Sequence, residues 1–340
     1  MAEKEVNRRG FIRKSMAASA GVAFGMHSFE EQDLLAQMSQ GAGGSSSARK
    51  PSEPETGAIP CGQIGDLKIS RMFCGGNLIG GWAHSRDLMY VSSLVKAYHT
   101  DEKIFETFEL AEEMGINAVL TNPVSDRVIN RYWNERGGQI QWFSDCASGS
   151  NIKEGIKRSV DSGAHSVYVQ GGIADQAVRD GKVEALGEAL EYIKQFKVPG
   201  GLGAHDLETI KACVKAGFKP DYWVKTLHPD NYWSATPKEN RKVFDVVGPQ
   251  GNNHGDYHDN MYCRNPEETI EYMNGLEEPW IAFKILAAGA LHPREAFKYA
   301  FEGGADFICV GMFDFQVREN AILAQQTLAA ELNRARPWRA

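Results

Sequence analysis

Residues 101–121 read DEKIFETFELAEEMGINAVLT, and this stretch decides the fold. Its first part, Asp101–Met114, places apolar side chains at helical spacing among carboxylates, which predicts an amphipathic helix. Gly115 then ends the helix, and Ile116–Thr121 follows as a short apolar run typical of a buried parallel strand. A helix joined to a buried strand by one glycine indicates a chain built from strand–helix units.

The same alternation continues from Leu67 onward. Eight strands are predicted, at Leu67–Gly75, Ile116–Thr121, Ile140–Cys146, Ser166–Gln170, Gly200–His205, Tyr222–His228, Trp280–Leu286 and Phe307–Met312. The predicted helices include Asp101–Met114, Ile152–Ser162, Asp206–Ala216, Pro266–Leu276, Pro293–Glu302 and Val317–Leu332. Eight such units predict an α/β fold, a (β/α)8 TIM barrel that forms a single domain over residues 63–340. A doubly wound open sheet is the alternative. The lack of a GxGxxG turn after the first strand favours the barrel.

The N-terminal region has a different character. Residues 7–14 read NRRGFIRK and precede a weakly apolar Ala/Gly stretch, which resembles a twin-arginine export signal. The resemblance implies that residues 1–28 are recognised by the twin-arginine export machinery and that the protein is periplasmic or otherwise exported. Residues 29–62 are rich in Ser, Gly, Glu, Gln and Pro, which predicts a disordered linker.

Composition excludes some partners. The formal net charge is −7, and the Lys and Arg residues beyond the N-terminus are scattered among carboxylates rather than gathered in a basic stripe. Nucleic-acid binding requires such a stripe, so we expect no nucleic-acid partner. No apolar run reaches the roughly 18 residues of a membrane span, so we expect no stable membrane anchor. The six cysteines show no CxxC spacing and predict no disulfide framework.

Two long loops, 77–100 and 229–264, follow predicted strands and therefore lie on the face where barrel active sites form. Both combine aromatic rings with Asp, Asn or His, a mixture suited to a polyhydroxylated small molecule. The candidate substrate-binding residues are Asn77, Trp82, His84, Arg86, Gln170, Tyr232, Trp233 and Tyr257.

Several short segments resemble aldo/keto reductases. They are Leu67–Gly76, Gly115–Leu120, Gly181–Gly187 and Val317–Asn320, and together they extend over most of the barrel. The resemblance implies a barrel of that kind, yet the catalytic Asp, Tyr, Lys and His of the family do not carry over. The position of the family's Asp is occupied by Leu120-Thr121-Asn122, that of its Lys by Ser144, and that of its His by Gln170. Carbonyl reduction then lacks its proton donor, so no nicotinamide cofactor is expected.

Two strands resemble those of deoxyribose-phosphate aldolases. Asp221–Thr226 is similar to the Schiff-base strand, and Phe283–Ala290 is similar to the strand that bears the second lysine. This resemblance implies a nucleophilic Lys225 assisted by Lys284. Gly303–Gly311 resembles the last strand of phosphate-binding barrels, a run that is widespread.

A metal site is the third candidate. His205 and His228 end the fifth and sixth predicted strands, an arrangement that resembles metal-dependent hydrolase barrels. A divalent Zn, Mn or Fe ion is therefore expected on His205 and His228, with Asp145, Asp314 or His258 completing the shell. Lys225 and His228 are three residues apart, so they share a pocket only if strand alternation has ended by His228.

Taken together, these patterns predict an exported barrel enzyme that acts on a small polar, carbohydrate-like substrate. The expected chemistry is that of a metal-assisted lyase, isomerase or hydrolase, with Lys225 or Lys284 as acid/base or electrostatic group and Asp145 and His258 as further catalytic candidates. Three alternatives stay open: a Schiff-base aldolase using Lys225, an aldo/keto reductase-type oxidoreductase, and a non-catalytic sugar-binding barrel.

Overall fold

The computed structural model describes residues 59–82, 90–148, 151–244 and 263–340. Within these residues the strands, numbered in chain order, are β1 Cys61–Ile64, β2 Leu67–Ser70, β3 Met72–Gly75, β4 Ala118–Thr121, β5 Gln141–Ser144, β6 Ser166–Val169, β7 Gly200–Ala204, β8 Tyr222–Thr226, β9 Trp280–Phe283 and β10 Phe307–Gly311. Strands β3 to β10 form a closed parallel barrel in sequence order, with β10 pairing β3. The predicted (β/α)8 barrel is confirmed.

Helices cover the outside of this barrel. They are α1 Val91–Tyr98, α2 Asp101–Glu113, α3 Asp126–Arg131, α4 Ile152–Asp161, α5 Gly171–Arg179, α6 Glu184–Lys194, α7 Leu207–Lys215, α8 Pro266–Asn274, α9 Pro293–Glu302 and α10 Asp314–Ala329. A π-helical turn, Tyr132–Arg136, extends α3, and α1 lies within the predicted loop 77–100. No described helix has the length and apolar character needed to cross a bilayer.

The predicted first strand, Leu67–Gly75, is two strands separated at Arg71. Its first half, β2, pairs antiparallel with β1, and the two-residue turn between them has Gly65 at a φ of 56°. Its second half, β3, belongs to the barrel. The β1–β2 hairpin starts at Cys61, and Ile59 before it is buried, so residues 59–62, the last part of the predicted linker, belong to the folded structure.

Strand alternation divides the core into two layers. One set of side chains fills the barrel interior, among them Phe73, Phe143, Tyr168, Tyr222, Val224 and Phe307. The other set faces the helices and includes Trp142, Trp223 and Trp280. Inside the barrel, the Phe73 and Phe143 rings meet edge to face with centroids 5.0 Å apart. The interior is therefore a packed core, and any binding site must lie at an end of the barrel.

A charge cluster closes the end of the barrel at which the strands begin. Asp306, fully buried, accepts hydrogen bonds from the Arg336 guanidinium at 2.5 Å, the Trp280 N–H at 3.1 Å and the Arg339 N–H at 2.8 Å. Trp338 is stacked against the Arg334 guanidinium, 3.3 Å from the ring centroid. Structural contacts therefore occupy this end of the barrel, and a ligand site is expected at the opposite end.

Candidate active site

Three ionisable side chains lie at the carboxyl ends of β5, β7 and β9, the end of the barrel called here the mouth. They are Asp145, His205 and Lys284. Asp145 lies two residues beyond Phe143, which faces the interior, so strand alternation turns it inward. His205 is in the same phase as Gly201, where a Cβ would meet the interior ring of Tyr222 and the Cβ atom of Tyr168.

His205 is held by one buried carboxylate. Its Nδ1 lies 3.0 Å from Oδ2 of Asp175 on α5, and its ring centroid lies 5.4 Å from that of Phe283. The side chain is 14% exposed, and no described residue hydrogen-bonds Nε2. Burial lowers the pKa of His205, the bond to Asp175 opposes this shift, and the nearby charge of Lys284 lowers the pKa further. The imidazole is therefore neutral at pH 7 and able to accept a proton.

Asp145 is a buried carboxyl with one oxygen committed. Its Oδ1 accepts hydrogen bonds from Asn122 Nδ2 and from the Ala147 N–H, each at 3.0 Å. Burial raises the pKa of Asp145 from 3.8 to about 6, although both hydrogen bonds favour the ionised form. Cys146, the next residue, has a left-handed backbone with a φ of 50°. A carboxyl with such a pKa exchanges protons readily near neutrality, as a general acid or base must.

Lys284 reaches the mouth through a strained backbone. Ile281 and Phe283 face the interior, so alternation alone would turn Lys284 outward. Its φ is 57°, in the left-handed region, and its charge acts on two interior groups, His205 and Cys309. The Lys284 Nζ lies 5.8 Å from the centroid of the Phe283 ring. Left-handed non-glycine residues are concentrated at functional sites, which agrees with a role for this amine in the mouth.

Lys225 lies on the other side of the barrel wall. Its neighbours Tyr222 and Val224 face the interior, so Lys225 faces the helices and is fully buried there. Its Nζ donates to the Thr226 carbonyl at 2.9 Å and to the Thr226 hydroxyl at 2.8 Å, and burial lowers its pKa. This placement argues against the predicted roles of Lys225 as Schiff-base nucleophile and as acid/base in the mouth, although its charge, like that of Lys284, lowers the pKa of His205.

His228 is a structural histidine rather than a free ligand. Its Nδ1 donates to the Pro229 carbonyl at 2.8 Å, and its Nε2 accepts from the Cys263 N–H at 3.0 Å. Burial lowers its pKa to about 4, so the neutral ring keeps this pattern. With both nitrogens bonded to backbone, His228 does not pair with His205 around an ion, which corrects the predicted ligand pair.

Asp314 also lies apart from the predicted ligands. It begins α10, accepts from the Tyr98 hydroxyl at 2.5 Å and forms an ion pair with Lys103 at 3.0 Å. The described residues contain no group of three or more His, Cys, Asp or Glu side chains able to hold a metal ion. His258, the remaining predicted ligand, lies outside the described residues.

The loop 229–264 is anchored at both of its described ends. Asp206, buried after β7, accepts from the Phe244 N–H at 2.8 Å and from Arg264 Nε at 3.1 Å. The bond from the Cys263 N–H to His228 adds a second attachment, after β8. Sequence analysis missed Asp206, Asp175 and Asn122, since a hydrogen bond between distant segments leaves no local pattern.

The predicted substrate-binding residues are only partly placed. Gln170 precedes α5 at the carboxyl end of β6, and Asn77 and Trp82 lie beyond β3, with the Trp82 N–H donating to the Asn77 carbonyl at 2.8 Å. Tyr232 packs edge to face on His228 with ring centroids 5.8 Å apart, whereas Trp233 is 83% exposed. His84, Arg86 and Tyr257 lie outside the described residues.

Comparison with known proteins supports the fold alone. No family model and no curated protein matches the sequence. Among solved structures, two described as an aldo-keto reductase from Pseudomonas aeruginosa align at TM-scores of 0.54, with 15% and 16% identity, over 80% of this chain and 97% of theirs. A truncated 3-deoxy-D-arabino-heptulosonate 7-phosphate synthase from Thermotoga maritima aligns at a TM-score of 0.45 and 11% identity, over 80% of this chain and 91% of that one. The chain is thus similar to aldo-keto reductase-like barrels in fold.

Proposed function

We propose that this protein is a lyase or isomerase that transfers protons at a carbon beside a carbonyl group in a small, polar, carbohydrate-like substrate. The observation that carries the proposal is His205, whose Nδ1 lies 3.0 Å from Oδ2 of Asp175 and whose Nε2 meets no described partner. That the solved structures of similar fold are named mostly as enzymes also favours an enzyme.

Each side chain of the mouth has a separate role in the proposal. His205 Nε2 removes the proton from the carbon beside the carbonyl. When this proton leaves, negative charge develops on the carbonyl oxygen, which becomes the enolate oxygen. The Lys284 ammonium stabilises that charge. Asp145, with a pKa of about 6, returns a proton to carbon or oxygen. Gln170, at the carboxyl end of β6, is suited to a hydroxyl group of the substrate, whereas Asn122 holds Asp145 through its amide group.

Export is part of the proposal, and the cofactor predictions are tested separately. The twin-arginine-like motif around Arg8 and Arg9 supports an exported, periplasmic enzyme. The divalent metal on His205 and the lack of a nicotinamide cofactor stay predictions, and a metal ion bound to Nε2 of His205 would exclude that atom as the base. Metal analysis of the purified protein and titration with NADPH test them separately.

The test is proton exchange in deuterated water. The purified protein is incubated with a panel of three- to six-carbon hydroxyaldehydes and hydroxyketones, and deuterium incorporation and product formation are followed by proton NMR. We expect exchange with at least one compound, reduced about 10²- to 10⁴-fold in His205→Gln and about 10²- to 10³-fold in Lys284→Met. Lys197→Met is the matched lysine control, since Lys197 is exposed and precedes the amino end of β7, whereas His205 follows its carboxyl end.

Two results would contradict the proposal. Absence of exchange across the whole panel would refute carbonyl-directed proton transfer. Exchange that persists at the wild-type rate in His205→Gln would place the base elsewhere. A Schiff base on Lys284 is the second candidate function, supported by its left-handed backbone at the mouth, and trapping of a carbonyl compound on Lys284 by borohydride would identify it.

A further inference from the structure

Asp175 is surrounded by hydrogen-bond donors. It lies on α5, is 4% exposed, and accepts from the His205 backbone N–H at 3.1 Å and from the Asp206 N–H at 3.3 Å. The Thr209 hydroxyl, on α7, donates to Oδ1 at 2.7 Å. Oδ2 lies 3.0 Å from Nδ1 of His205. Three donors besides the imidazole therefore converge on this one carboxylate.

The start of α5 is shaped around the same imidazole. A Cβ on Gly171, the first residue of α5, would lie 3.0 Å from Nδ1 and 3.1 Å from Cε1 of His205. Asp175 is four residues further along, on the same face of the helix. One helix face thus supplies both the space for the ring and the carboxylate that binds it.

We propose that Asp175 is a positioning residue that holds His205 as the Nδ1–H tautomer and directs the Nε2 lone pair into the mouth. Both oxygens of Asp175 already act as acceptors for N–H and O–H donors, so the shared proton resides on Nδ1 of His205. Nε2 then carries no proton and is the basic atom. The assignment of a base to Nε2 rests on the proposed function, whereas the tautomer follows from these contacts alone.

Two other histidines serve as internal references. His165 Nδ1 accepts from the Trp142 N–H at 3.2 Å, so its proton resides on Nε2, opposite to the arrangement proposed for His205. His228 Nε2 accepts from the Cys263 N–H, so its proton resides on Nδ1. One spectrum of the protein should therefore contain both tautomers, with His205 in the same class as His228.

The test is ¹⁵N NMR of the imidazoles at neutral pH, with His205→Gln identifying the His205 signals. In wild type we expect a protonated Nδ1 and an unprotonated Nε2. In Asp175→Ala the His205 signals should shift toward the Nε2–H tautomer, and those of His165 should stay unchanged. A wild-type spectrum with the proton on Nε2 would overturn the proposal, and so would an unchanged tautomer in a folded Asp175→Ala variant. Should the alanine variant fail to fold, the wild-type spectrum decides.

Kinetics separate positioning from a purely structural role. Asp175→Asn keeps the shape of the side chain but removes its charge, so kcat should fall at least about tenfold and up to about 10⁴-fold while KM stays within about threefold. Asp175→Glu should recover part of the lost rate. Unchanged kcat in a folded Asp175→Asn variant would refute the positioning role. If the tautomer is as proposed but no panel compound exchanges, the proposed function fails and the structural assignment of Asp175 stands.

Discussion

Replacing Lys284 by glycine should make the protein more stable and abolish its activity. Lys284 has a φ of 57°, a conformation that costs a residue with a Cβ about 1–2 kcal/mol. Glycine adopts it freely but loses about 0.5–1 kcal/mol through its greater freedom in the unfolded chain. The difference leaves a net gain of up to about 1.5 kcal/mol, with a midpoint of about 0.75 kcal/mol, which raises Tm by up to about 6 °C in a domain of this size.

Lys197 provides a matched control because it has nearly the same backbone, with a φ of 58°, but is an exposed residue between α6 and β7. Lys197→Gly should raise Tm by a similar amount and leave deuterium exchange unchanged. Thermal unfolding followed by circular dichroism and the exchange assay are measured on both variants. If Lys284→Gly lowers Tm while Lys197→Gly raises it, the Lys284 side chain supports the fold, and the strain argument for its function is wrong.

Three further predictions concern the carboxylates and the export motif. Asp145→Asn keeps both acceptor bonds and removes a carboxyl whose pKa rises from 3.8 to about 6 on folding. Chemical denaturation should therefore show a gain in the free energy of unfolding of up to about 3 kcal/mol above pH 6, and this gain should vanish below pH 4. A gain that does not vary with pH would contradict this sign. Asp306→Asn should lower the free energy of unfolding by about 3–5 kcal/mol, because it leaves buried guanidinium groups without their counter-charge. Lys157→Ala, in an exposed ion pair, is the control and should lower it by less than about 0.5 kcal/mol. Replacing Arg8 and Arg9 by Lys should retain the protein in the cytoplasm on fractionation, and unchanged periplasmic yield would show that the motif is not an export signal.

The barrel could be predicted because its strands repeat one pattern. Each strand of the barrel is an apolar run of four or five residues, and helix-ending glycines such as Gly115 and Gly217 separate the units. Such signals are local, so one chain is enough to find them. The division of Leu67–Gly75 at Arg71 was missed for the opposite reason. Arg71 leaves the strand to donate to the Asp306 and Ala340 carbonyls, more than 200 residues away in sequence.

The candidate site could be predicted only where side-chain direction follows from alternation. His205 is in phase with Gly201 and Gly203, and it does face the mouth. Lys225 is out of phase with Tyr222 and Val224, and it faces the helices. The same alternation of side-chain direction, applied to the aldolase-like strand in the sequence, places Lys225 outside the barrel interior, where a nucleophile of the mouth could not lie.

At Lys284, strand alternation does not predict the direction of the side chain. Alternation places it outward, in phase with Trp280 and Ala282, yet its left-handed backbone brings its charge to the interior groups His205 and Cys309. A positive φ at lysine has no signature in the sequence, because glycine or asparagine is the residue expected there. Alternation therefore identifies the base of the proposed site, whereas only the backbone geometry identifies its cation. The lysine that the sequence pattern favoured less is consequently the one that the proposed site uses.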